Sequence, residues 1–166
     1  MRGLPVIVRL ALAISAPLAQ SRASQELHAQ GVVAGYLPEY RWYVDVESAV
    51  ACCLTDLILF SVQPLASGTL DAHWINPANF ARARAAADAV PGRVVNVLLS
   101  VGGAGRSGGF AAACASKGGR RKLVKSLVAL LDAHALDGLD FDWEVRPGNY
   151  FKTADGVRCL LNACYL

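Results

Sequence analysis

From Gly31 the chain alternates short, nearly unbroken apolar runs with longer stretches in which apolar residues recur every three or four positions. Residues 32–37, ended by Pro38, and residues 56–62, ended by Pro64, read as strands buried on both faces. Residues 94–101, continuous in β-branched and leucine side chains, read the same way. Between them lie helical patterns. Asp45 is placed to cap a helix running through Leu54, with Val46, Ala49, Val50 and Cys53 on its apolar side. Asn76-Pro77 supplies a cap and a first-turn proline for an alanine-rich helix to Ala89, which Pro91-Gly92 stops. Leu123, Val124, Leu127, Val128, Leu130 and Leu131 form the stripe of a third helix, with Arg120-Arg121-Lys122 at its solvated start.

The fourth strand breaks the apolar rule. From Leu139 to Glu144 the chain alternates, with Leu139, Phe141 and Trp143 on one side and Asp140, Asp142 and Glu144 on the other. Alternate carboxylates on one strand lie ~6.8 Å apart along the backbone. Like charges at that spacing disfavour joint ionisation, so a proton is shared or retained among them. A carboxyl protonated near neutral pH is what general-acid catalysis requires. A charge run is ordinarily a solvated face. Here two aromatics fill the opposite side and an apolar helix precedes, which points to burial and to a site. Four strands alternating with three helices predict a parallel sheet in the order 1-2-3-4 with right-handed crossovers, the fourth strand near 138–143. Periodicity leaves open whether the sheet is open or closes into a barrel.

The length of 166 residues fits one domain. A net charge of +3, dispersed along the chain, gives no nucleic-acid footprint. No internal span is long and apolar enough to propose a membrane helix. Residues 1–23 read as a targeting segment with a basic start, an apolar run and the small residues of Ser21-Arg22-Ala23. A secretory signal is expected. The arginines at 2, 9 and 22, with no acid before Glu26, keep an organelle transit peptide as the alternative. Five cysteines leave one unpaired if disulfides form, and Cys53 is expected to be a small buried hydrophobe. His28, His73 and His134 are scattered, so neither a metal cluster nor a cofactor site is read. Residues 31–152 are taken as the domain, and 153–166, without periodicity, as an aberrant or disordered tail.

Residues 103–108 spell G-x-G-x-x-G between a strand and a helix. Dinucleotide binding needs a second strand ending in an acid about twenty residues on. That stretch is instead the third helix, so the nucleotide reading is set aside. A better-placed similarity exists. Residues 137–144, D-G-L-D-F-D-W-E, match the D-G-x-D-x-D-x-E signature of glycoside hydrolase family 18, the chitinase and chitinase-like family, and Ser100-x-Gly102-Gly103 resembles its S-x-G-G motif. The resemblance covers about residues 31–150. It implies a (β/α)₈ barrel, of which this chain supplies about the first four units, with chemistry at the C-terminal strand ends. It further implies chitin or N-acetylglucosamine oligosaccharides as partner, with substrate-assisted retaining hydrolysis.

Carried over residue by residue, the resemblance makes Glu144 the acid that protonates the glycosidic oxygen. Asp142 orients the substrate N-acetyl group and Asp140 tunes Asp142. Ser100 hydrogen-bonds Asp140, Gly102 and Gly103 leave room for sugar, and Asp137 supports the motif. Spacing alone fits an ordinary retaining pair equally well. Tyr36 and Phe60, at the ends of the first two strands, are candidates for sugar stacking or for core packing, and Trp143 for packing. The family's Tyr-Pro after the acid is replaced by Val145-Arg146-Pro147. With four strands read where a barrel has eight, the chain is expected to be a truncated product, weakly active or inactive by itself. The alternative from another class is an oligosaccharide-binding protein without turnover.

Overall fold

The computed structural model describes residues 31–144. Strand β1 (Ala34–Pro38) leads to helix α1 (Val46–Cys53) and strand β2 (Asp56–Pro64). A two-residue strand β3 (Leu70–Asp71), helix α2 (Pro77–Asp88) and strand β4 (Asn96–Gly102) follow. A short helix α3 (Phe110–Cys114), the long helix α4 (Lys117–His134) and strand β5 (Gly138–Asp142) complete the described chain. The four main strands are parallel in the order β1-β2-β4-β5, as the alternation predicts.

The two faces of the sheet differ. Leu37, Leu57, Leu59, Val97, Leu99, Val101 and Phe141 turn toward the helices and share one core with Val46, Val50, Phe80, Ala83, Leu123 and Leu127. Each such side chain contributes ~1.5–3 kcal/mol by leaving water. In register on the other face stand Tyr36, Ile58 and Leu98, with Ser100 opposite Asp140. Asp45 and Asn76 cap α1 and α2 as their sequence positions require, accepting from the Ser48 and Ala78 amides at 2.9 and 3.0 Å. Arg82 of α2 ties the helical layer together through Glu47 and the carbonyls of Trp42 and Val44. That guanidinium holds the Glu47 carboxyl down at about 2.

Several elements depart from the sequence pattern. β3 pairs antiparallel with the end of β2, Gln63 opposite Asp71, so β2 runs through Pro64 rather than stopping before it. β1 and β4 begin two residues later than expected, with Val32, Val33 and Val94 exposed. α4 starts at Lys117, capped by Ser116, despite two glycines in its first turn. Gly119 is needed there, because a Cβ would sit 2.3 Å from the Ala113 carbonyl oxygen of α3. Cys53 is exposed, not buried. α1 ends at that residue, and it is Leu54 that reaches back over the sheet to pack on Gly35. Residues 1–23 and the tail from 153 lie outside the described residues. Among the described residues no helix is long and apolar enough to cross a membrane.

Candidate active site

β5 delivers its acids in a gradient of accessibility. Asp140 is 4% exposed, Asp142 is half-buried at the strand end, and Glu144, two residues further, is exposed. The other side of β5 is anchored: Phe141 is buried, and Trp143 stacks on Phe110 of α3 with ring centroids 4.8 Å apart. Burial pushes the Asp142 carboxyl up, and the charges of Glu144 and then Asp140 push it further in the same direction. The Tyr36 hydroxyl donates to Asp140 Oδ2 at 3.0 Å. The innermost acid thus accepts a tyrosine hydroxyl, while its neighbour is biased toward keeping a proton.

The expectations for Ser100 and for the two glycines are corrected, and Asp137 and Phe60 find their places. Ser100 lies opposite Asp140 in register, yet its buried Oγ has no hydrogen-bond partner among the described residues. Tyr36 of β1, with two strands between it and β5, makes the bond to Asp140 instead. Gly102 and Gly103 do not leave open space. With φ of +99° and +91°, their missing Cβ positions lie 2.5 Å from the Asp142 carbonyl oxygen and 2.4 Å from Phe60 Cζ, respectively. They permit protein to approach protein. Asp137 lies at the opposite end of β5 from Glu144, where its Oδ2 accepts from the Val97 amide at 2.7 Å and from Arg84 at 2.5 Å. It fixes the strand start. Phe60 packs in the wall of the site, edge-on to Tyr36 at 6.5 Å and against Gly103.

Two residues of the glycine-rich turn carry more than the sequence suggests. Ser107 Oγ donates to the Asp142 and Gly103 carbonyl oxygens at 3.0 and 3.2 Å and accepts from the Glu144 amide at 3.0 Å. It therefore sets where Glu144 leaves the strand. Arg106 reaches across to the Ser61 carbonyl and hydroxyl, 3.0 and 3.1 Å away, and pairs with Glu39. β2 carries an extra residue between Leu59 and Val62 relative to β4, which brings Phe60 and Ser61 to this corner. Ordinary serine and arginine in a turn carry no pattern, so only their position between Gly103 and Gly108 could have drawn notice. Among the described residues no group of His, Cys, Asp and Glu could hold a metal ion.

The sequence matches the glycosyl hydrolases family 18 over residues 32–164. The fold is similar to that of a group IV chitinase from Ostrinia furnacalis crystallised with allosamidin, at 21% identity and a TM-score of 0.68, over 80% of this chain and 39% of that one. A family 18 N-acetylglucosaminidase from Paenibacillus barengoltzii aligns at 26% identity and a TM-score of 0.58, over 68% and 31% of the two chains. A class V chitinase from Nicotiana tobaccum aligns at 18% identity and a TM-score of 0.64, over 82% and 38%. This chain spans between 31% and 39% of the length of these three proteins. The β/α alternation and parallel order are the first part of a (β/α)₈ barrel, with the acids at the C-terminal strand end.

Proposed function

The chain belongs to the glycosyl hydrolases family 18, and from that premise we propose that it carries the acid centre of a glycosidase for chitin or N-acetylglucosamine oligosaccharides. The observation that carries the reading is the pair Asp140 and Asp142: one carboxylate held by the Tyr36 hydroxyl, the next pushed toward its protonated form. Glu144, exposed at the mouth, gives its proton to the glycosidic oxygen as the bond to the leaving sugar breaks. Asp142 shares its proton toward Asp140, accepts the N–H of the substrate's N-acetyl group, and so turns that group's carbonyl oxygen toward the anomeric carbon. That oxygen forms the new bond, and water later opens the cyclic intermediate with retention. Asp140 takes up part of the positive charge that develops on the acetamido group, through Asp142. The Tyr36 ring, 46% exposed, borders the place of that sugar.

The relatives that bind allosamidin or are named chitinases support the substrate class. The disulfide bond of Cys114 supports an oxidising, secreted setting. The same proposal assigns the 166-residue chain weak turnover or none by itself, because near-attack positioning needs the sugar held around the whole rim. The test is hydrolysis of a fluorogenic chitotrioside by the 166-residue chain, by a version extended to a complete barrel, and by Glu144→Gln in each. Turnover in the extended form, falling by ~10²-fold or more on Glu144→Gln, is expected. Binding without turnover in both forms would replace the enzyme by an oligosaccharide-binding protein.

A further inference from the structure

We propose that Arg106 is a positioning residue for the acids at the end of β5, acting through Phe60 and the corner at Gly102 and Gly103; this deepens the glycosidase reading and rests on it. The Arg106 side chain is only 19% exposed and its Glu39 partner 20%. The guanidinium joins three connections: Glu39 after β1, Ser61 at the bulge of β2, and its own turn after β4. Ser61 Oγ in turn donates to the Gly102 carbonyl oxygen at 2.9 Å. The Gly103 amide then donates to the Asp142 carbonyl oxygen at 2.7 Å. A continuous set of bonds thus runs from Arg106 to the backbone of Asp142.

A second route runs through the rings. The Arg106 guanidinium lies 5.8 Å from the centroid of Phe60 and 5.1 Å from that of Trp74, within the range of cation–π attraction. The far edge of Phe60 comes to 2.4 Å from the point where a Gly103 Cβ would stand, and Asp142 Oδ2 comes to 3.2 Å from the same point. The ring Arg106 holds therefore stands close beside the Asp142 carboxylate, both meeting at the space a Gly103 side chain would fill. A guanidinium is suited to the task because its planar fork bonds two acceptors while its face meets a ring, and an ammonium cannot do both. Glu144 and Asp140 are the charged groups that act on Asp142, Tyr36 bonds Asp140, and all three remain when Arg106 is changed.

The experiment is a carboxyl ¹³C NMR titration of Asp142 in the full chain, for wild type, Arg106→Ala, Arg106→Lys and Phe60→Leu. Loss of a nearby cation alone would move the Asp142 midpoint up. Loss of the ring beside it moves it down, because water then reaches the carboxylate. The expected result is a downward shift of about half a pH unit, ~3-fold in proton affinity, in Arg106→Ala and Phe60→Leu, with Arg106→Lys between. An unchanged or raised midpoint, with only a lower melting temperature, would make Arg106 a plain strut and overturn the proposal. Phe60→Leu keeps the test if Arg106→Ala does not fold. Chitotrioside turnover in the extended form separates the two levels. A lowered midpoint beside turnover that ignores Glu144→Gln would overturn the glycosidase reading, whereas an unmoved midpoint beside Glu144-dependent turnover would overturn the role of Arg106.

Discussion

At the scale of single residues, Ser100 is the most informative. A buried hydroxyl without a partner costs about 1–3 kcal/mol, and among the described residues Ser100 Oγ is in that state beside Asp140. Ser100→Ala is therefore expected to leave denaturant stability within ~0.5 kcal/mol of wild type, or to raise it, whereas loss of an existing bond to Asp140 would cost ~1 kcal/mol. Asp142 makes a second residue-scale prediction. Its folded-state pKa lies above the ordinary value of ~3.9, so across the window above that value the folded state holds more protons than the unfolded one. Stability then falls as pH rises through the window. Asp142→Asn should melt higher than wild type at neutral pH and match it at acid pH, where the aspartate is protonated in both states. Equal melting temperatures at both ends would deny the shift. The alternation from Leu139 to Glu144 made the three acids legible, because a two-residue period is a property of the strand alone. The bond from Tyr36 to Asp140 spans 104 positions, and no local pattern encodes it.

At the scale of elements, the corner between β4 and α3 sets the site. Ser107 holds Asp142 and Glu144 by backbone bonds, and Gly103 admits both Phe60 and Asp142. Gly103→Ala is expected to cost about 2 kcal/mol or more, since it adds both an unfavourable φ and a 2.4 Å clash with Phe60. Ser107→Ala should cost ~1–3 kcal/mol and lower turnover in the extended form more than it lowers chitotriose affinity, because it frees Glu144 and leaves the remaining sugar contacts. Equal loss of both would place Ser107 outside the acid's positioning. The main strands and three longer helices could be read from apolar runs and caps. Asp45 and Asn76 are where they should be because capping needs only neighbouring residues. β3 and α3 were not legible: two paired residues and a five-residue turn of helix owe their form to β2 and α4, not to their own sequence.

At the scale of the whole molecule, four parallel strands with helices against one face put every feature of the site at one end of the sheet. Asp137 at the other end shows the division within a single motif: its first acid secures the strand start, and its last three follow toward the C-terminal end of the strand. The central claim is that these acids work through the substrate's own N-acetyl group. It is tested most directly by comparing, in the form extended to a complete barrel, initial hydrolysis rates of a fluorogenic chitotrioside and of the corresponding cellotrioside, which has a hydroxyl in place of each acetamido group. Turnover of the first is expected, with a rate on the second at least ~10²-fold lower. Comparable rates on both would show that an enzyme carboxylate is the nucleophile and would contradict the role given to Asp142.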